Sequence, residues 1–517
     1  MKKYLNRRNF LKSTGIGITT LSITNNIHAS AKHLEDVTKD STFFSNPDNQ
    51  KPVDLKLNVK PIYSGRIHLA AYGGPCRWDA MEQMTPEVET RNFSQRSKRF
   101  FETARDRISE DSYLMQPESV VLHRSWKEYE KGDIIKTENW EKIEADVSGV
   151  DLFLTSYRVH GLEKYNKPIA WVGNGSWNLD WSAFLRNVGV EGYAPYDWDE
   201  LNELISLLRV RKAIQKTKVL VVSDRPESPP ICLLASIKEK DLKEKFGVDY
   251  QNVSYKEFFN EMDRITLSKT EQEKAKDMTD RLIENSKNAF IRKENILNDI
   301  NFYLTAKSVM NKYNCNAFII RCFELCGSHI AADRKITPCL ANILLRDEGY
   351  PSACEGDLNA LFTTMIAMYV SRKPVYMGNT IYDAEEKRLR ITHDAATLKM
   401  KGLGLPDLPY EIQPFTHETA GAFGTTIRYD FSLDKGQAVT VLRANPVRRK
   451  MMLAKGEIIE GTGFRETGCS LGVNIGIPDV KEFYHKGADI GSHLVVVYGD
   501  YTKEIRKLGE IMNYEVL

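Results

Sequence analysis

The sequence predicts an α/β protein whose C-terminal part turns to β-structure. As far as Ser371, short apolar runs alternate with charged segments at helical spacing, the rhythm of parallel βα units. After Arg372 the texture changes to short strands separated by Gly and Asp turns, which reads as a β-barrel or sandwich. Within the βα part, carboxylates stand just past apolar runs. Open α/β sheets bind ligands outside the carboxyl ends of their strands.

The first thirty residues read as a targeting segment. Asn6-Arg7-Arg8-Asn9-Phe10-Leu11-Lys12 resembles the twin-arginine export motif, Ile16 to Ile23 is weakly apolar, and Ala29-Ser30-Ala31 offers an A-x-A cleavage site. The expected address is the periplasm or beyond, by a route that carries folded proteins. Residues 32–58 are polar and read as a linker or wrapping arm. Residues 59–215 form a first α/β domain, with strands at Gly65–Ala71, Asp151–Phe153 and Pro168–Val172. All seven tryptophans lie between Trp78 and Trp198, and Trp171, Trp177 and Trp181 flank Gly173-Asn174-Gly175. Such rings either stack on sugars or fill core and interfaces.

A second α/β domain covers 216–373 and opens with the buried strand Lys218-Val-Leu-Val-Val-Ser-Asp224. Residues 235–313 are rich in Lys, Glu and Asp and read as solvated helix faces. A strand at Ala317–Cys322 and a helix at Leu358–Ser371 follow, with Asp357 at the N-cap position. Residues 374–517 form the β-rich domain, with strands at Val375–Met377, Arg388–Thr392, Thr425–Phe431, Ala438–Arg443, Glu457–Gly461, Gly472–Ile477 and Leu494–Tyr498. A helix at Lys503–Met512 ends the chain.

Composition narrows the function. A net charge of +2 gives no reason to expect nucleic acid as a partner, and no long apolar run after the N-terminus predicts a membrane span. No G-x-G-x-x-G or Walker sequence supports a nucleotide cofactor. Eight cysteines lack the paired spacing of a zinc site and read as buried free thiols. The acids and histidines are more specific. Glu324, Glu355 and Asp357 follow apolar runs, and His493 stands at the mouth of another strand. Carboxylates plus an imidazole suit a hard divalent ion such as Mn²⁺ or Mg²⁺.

Arg321-Cys322-Phe323-Glu324, Thr337-Pro338-Cys339, Ala353-Cys354-Glu355-Gly356-Asp357 and His493-Leu-Val-Val-Val-Tyr-Gly-Asp500 together resemble the L-fucose isomerase and L-arabinose isomerase superfamily. The match covers the chain from Asn316 onward. Before residue 215 only a general α/β lobe matches. The resemblance implies two Rossmann-like lobes and a C-terminal β-barrel, a homo-oligomer (trimer or hexamer), and a metal-dependent aldose–ketose isomerase of a monosaccharide with Mn²⁺ as cofactor. It implies Glu324 and one acid of the second motif as ligands and proton-transfer groups, and His493 as a ligand. The fucose-type pattern points to Asp357, the arabinose-type to Glu355. His393 lies where arabinose-type enzymes carry a second histidine ligand, although related isomerases have His-Cys where this chain has His393-Asp394. Asp489 replaces an amide of the fucose enzymes, which argues against L-fucose. His329 and Asp333 read as polar loop residues. Two other functions stay open: an exported sugar-binding protein without catalysis, and a same-fold enzyme acting on a modified sugar.

Overall fold

The structure, a computed structural model, describes residues 51–68, 85–124, 136–138, 140–225, 239–415, 423–466 and 468–517. The expected signal segment, most of the expected linker, Trp78 and Trp126 lie outside them.

The first lobe is a seven-stranded sheet. Its strands are β1 (Leu57–His68), β2 (Ser112–Leu114), β3 (Glu118–Arg124), β4 (Lys136–Glu138), β5 (Leu152–Thr155), β6 (Ile169–Trp171) and β7 (Gly192–Tyr193). The order is β4-β3-β1-β5-β6-β7, with β2 on the first half of β1, and every pairing is parallel except β3–β4. β1 begins eight residues before the expected Gly65, inside the expected linker. Pro61 hides it, because proline rarely sits in a central strand. Here β1 pairs with β2 at 57–59 and with β3 from Ile62 on. The missing N–H of Pro61 falls at the junction of the two partners. Val53, also in the expected linker, is buried among Leu207 and Val210 of the Trp198–Gln215 helix.

The second sheet is fully parallel, in the order β12-β11-β8-β9. It comprises β8 (Lys218–Val222), β9 (Asp249–Val253), β11 (Ala317–Ile320) and β12 (Ser352–Ala353). β11 stops two residues short of the expected Cys322, which instead opens the helix Cys322–Gly327. The helix Lys293–Lys312 corrects the reading of 235–313 as solvated faces. Twelve of its side chains are buried, Ile300, Phe302, Leu304 and Val309 among them, and Phe302 packs at a tilt against Phe258, ring centroids 5.0 Å apart. Charged residues at its ends mask an apolar middle.

β13 (Tyr376–Asp383), β14 (Arg388–Thr392), β17 (Ala438–Asn445), β18 (Lys450–Thr462), β19 (Gly472–Gly476) and β20 (Leu494–Tyr498) close into a six-stranded antiparallel barrel, with β21 (Glu515–Val516) on the edge of β18. The mixed α/β fold with a terminal barrel is therefore the one expected. Leu494, Val496 and Tyr498 face the barrel core, while Val495 and Val497 face the helix side. Both faces of β20 are covered, so its run is apolar throughout. One expected strand lies elsewhere. Gly424–Tyr429 (β16) pairs with Tyr410–Phe415 (β15), which pairs with Asn288–Ala289 (β10), as a separate three-stranded sheet.

Candidate metal centre

After β12 the chain turns sharply. Glu355 and Gly356 both take left-handed backbone conformations, with φ of 61° and 67°. The Gly356 N–H donates to Ile320 O at 3.1 Å, tying the turn to the end of β11. A left-handed non-glycine residue costs roughly 1–2 kcal/mol, so Glu355 sits where local preference would not place it. Such strain gathers at functional sites. Asp357 then caps the helix Leu358–Ser371, accepting from the Ala360 N–H at 2.9 Å.

Barrel register supplies the partners. β13 pairs Asn379 with Thr392 of β14 and Gly378 with Leu494 of β20. His393 and His493 therefore emerge side by side at one end of the barrel. Gly378 permits the approach, since a Cβ there would lie 2.6 Å from Thr392 O. His493 is itself left-handed, with φ of 64°.

The three side chains converge. His393 Nε2 lies 3.2 Å from Glu355 Oε1, and His493 Nε2 lies 3.4 Å from Glu355 Oε2. The outer nitrogens are both engaged: His493 Nδ1 lies 2.8 Å from Asp357 Oδ2, and His393 Nδ1 lies 3.2 Å from the Asp394 carbonyl. Each acceptor favours a proton on Nδ1, and in that tautomer Nε2 is free to hold a metal. That arrangement orients histidine ligands in metal sites. Adjacent ligands of an octahedral ion held at about 2.1 Å lie about 3 Å apart, close to the spacings found. The donor set of Glu355, His393 and His493 thus fits a divalent metal.

Two buried arginines brace the centre. Arg443 donates to Asp357 Oδ2 at 3.0 Å, to His493 O at 3.0 Å and to Ile490 O at 3.2 Å. Arg428 donates to Asp394 Oδ1 at 3.0 Å and to the carbonyls of Gly463 and Gly468. Burial pushes the Asp357 carboxyl up, but Arg443 and His493 outweigh it and hold the group well below the usual range. Burial likewise raises the Glu355 carboxyl, and the two histidines bring it below its ordinary value. Burial wins at Asp394, pushed up to about 6 despite Arg428.

The sequence-predicted residues separate into those brought together and those kept apart. Glu355, His393 and His493 form the cluster. Asp357 stands behind it, fully buried, as the partner of His493 and Arg443 rather than as a member. Glu324 is also outside the cluster, in the first turn of Cys322–Gly327. It accepts from Ser223 Oγ at 2.9 Å and from the Asp224 N–H at 3.2 Å. It rises from the end of β11, next to the strand that leads to Glu355. His329 and Asp333 are exposed. Asp489 pairs with Lys450 at 2.7 Å on the surface. Sequence reasoning passed over Arg443, Arg428 and Asp394. The signal was available: a lone arginine inside an apolar strand must find a buried partner.

No family model matches this chain. It is similar to curated proteins called sulfoquinovose isomerase. That of Priestia megaterium is 24% identical over 332 residues, covering 61% of this chain and 68% of the relative. That of Alkalicoccus urumqiensis is 25% identical over 325 residues, covering 60% and 68%.

Proposed function

We propose that this protein is a metal-dependent aldose–ketose isomerase of a monosaccharide. The observation that carries the reading is the convergence of both Nε2 atoms, from His393 and His493, on Glu355. The likeness to sulfoquinovose isomerases supports sugar isomerisation over sugar binding alone. A divalent ion held by these three side chains supplies Lewis-acid polarisation of the sugar carbonyl. Mn²⁺ is the ion we assign to this centre from the family resemblance.

The chain's own groups do the rest. Isomerisation moves one proton from C2 to C1 and a second from O2 to O1 through an ene-diol. A carboxylate positioned beside those carbons takes the proton from one and returns it to the other. Glu324 is the group we assign to this task, because Ser223 and the Asp224 N–H orient it while it remains outside the buried cluster. Asp357 holds the His493 tautomer and moves no proton. Export by the twin-arginine route and assembly as a homo-oligomer belong to the same proposal.

A second reading, an isomerase of a modified sugar, is favoured by the likeness to sulfoquinovose isomerases, since sulfoquinovose is a hexose bearing a sulfonate. A panel of plain and sulfonated aldoses, assayed for ketose with Mn²⁺ present, tests both. Ketose from at least one aldose is expected, and its loss in Glu324→Gln. Sugar binding without any ketose would leave the binding-protein reading standing.

A further inference from the structure

The carboxyl edge of the first sheet carries two arginines whose charge no described carboxylate neutralises. Arg66 extends from the last part of β1, and Arg158 follows β5 by three residues. Both guanidiniums lie over the ring of Tyr157, at 5.7 Å and 5.5 Å from its centroid. Arg158 also lies 5.3 Å from the centroid of Trp177. Tyr157 is held in turn edge-on to Trp171, the last residue of β6, at 5.3 Å. The Nε atoms of Arg66 and Arg158 are both buried without a hydrogen-bond partner. Trp177 itself is 59% exposed and sits in the first turn of the helix Ser176–Asn187. The N-cap of that helix, Gly175, brings no side-chain acceptor to the first-turn amides.

We propose that this edge is a subsite for a sugar that carries a sulfonate or phosphate group. Arginine forks match tetrahedral oxyanions with paired, charge-assisted bonds. Helix-start amides favour the same charge, and here they lie beside Trp177, within reach of Arg158. The exposed face of Trp177 offers a platform for a sugar ring. Strand carboxyl ends are where α/β sheets take their ligands. The loop is pinned for the purpose: Ser64 Oγ donates to the Arg158 carbonyl at 3.3 Å, and the Ser64 N–H donates to Ser156 Oγ at 3.3 Å. Arg158 also donates from Nη2 to Tyr157 Oη at 3.3 Å, which fixes its guanidinium against the ring.

This inference rests on the sugar-isomerase reading for its ligand class, and its test avoids the metal. Calorimetric titrations use the full chain after chelator treatment, with sulfoquinovose, glucose 6-phosphate and glucose as probes. The charged sugars are expected to bind at least about tenfold more tightly than glucose. Arg66→Met and Arg158→Met should each weaken the charged sugars by about 10–100-fold, the cost of losing a charged hydrogen-bond donor. Preference for sulfoquinovose over glucose 6-phosphate identifies the sulfonate as the natural group, and the reverse identifies phosphate. Equal binding of charged and neutral sugars, or unchanged affinity in both variants, overturns the subsite. Should the variants fail to fold, arginine modification of the wild type by phenylglyoxal decides. Protection of Arg66 and Arg158 peptides by a charged sugar is expected, and its absence overturns the proposal. Arg-dependent binding with no ketose from any aldose would leave the subsite standing while the isomerase reading fell.

Discussion

His493 shows how much of the centre depends on a single proton position. Its Nε2 lies 3.4 Å from Glu355 and its Nδ1 2.8 Å from Asp357, and Nε2 can hold a metal only in the tautomer that keeps the hydrogen on Nδ1. Asp357→Asn can still cap the helix, yet it deprives both His493 and Arg443 of an anionic partner. We expect it to lower metal affinity by about 10–100-fold, as loss of a supporting partner does, measurable by competition with a chromophoric chelator. The pH dependence follows from the depressed Asp357 carboxyl. A carboxyl lowered on folding contributes stability that is present above its unfolded value near about 4 and is lost as pH falls below that. The stability gap between wild type and Asp357→Asn should therefore shrink on acidification below about pH 4. Urea melts at a series of pH values check this, and a constant gap contradicts it. Arg443→Met would leave Asp357 buried and uncompensated, at a cost of about 3–5 kcal/mol. Glu355, His393 and His493 could be named from motif alone. Arg443 could not, because its partner Asp357 lies 86 residues away and only the closed barrel joins them.

The turn from Cys354 to Asp357 decides where the carboxylates go. One residue, Gly356, carries most of that constraint. At φ of 67° a Cβ is strained, and it would meet Arg321 Cγ at 2.8 Å. Gly356→Ala should destabilise the fold by about 1–2 kcal/mol and weaken metal binding as Glu355 shifts. Metal affinity equal to wild type would show that the turn does not set the site. Strands were legible where both faces are buried or strictly alternating. Arg388–Thr392 and Leu494–Tyr498 have the expected bounds. Tyr410–Phe415 was not legible, because Glu411, Gln413 and Pro414 break its apolar run. β18 extends seven residues before the expected Glu457, through Lys455 and Gly456, because that half pairs with β17, while the half from Glu457 on pairs with β19. Sequence pattern identifies a strand but not its neighbours, which is why Thr425–Phe431 was grouped with the barrel.

Across the whole molecule, a mostly parallel sheet, a fully parallel sheet and a barrel bring together residues from widely separated segments. The barrel end supplies both histidines and the second sheet supplies Glu355, so the centre exists only in the assembled chain. None of the described helices is long and apolar enough to cross a membrane. For the export proposal, replacing Arg7 and Arg8 with Lys should leave precursor in the cytoplasm on fractionation. Mature protein still found outside the inner membrane would refute the twin-arginine reading. The central claim is that Glu355, His393 and His493 hold a divalent metal required for turnover. The most direct measurement pairs elemental analysis with ketose formation on one preparation of chelator-treated protein, before and after Mn²⁺ is returned. The prediction is one metal per chain in the reconstituted wild type, turnover only in that state, and loss of both in His493→Ala. Full turnover by the metal-free protein, or stoichiometric metal retained by His493→Ala, would contradict it.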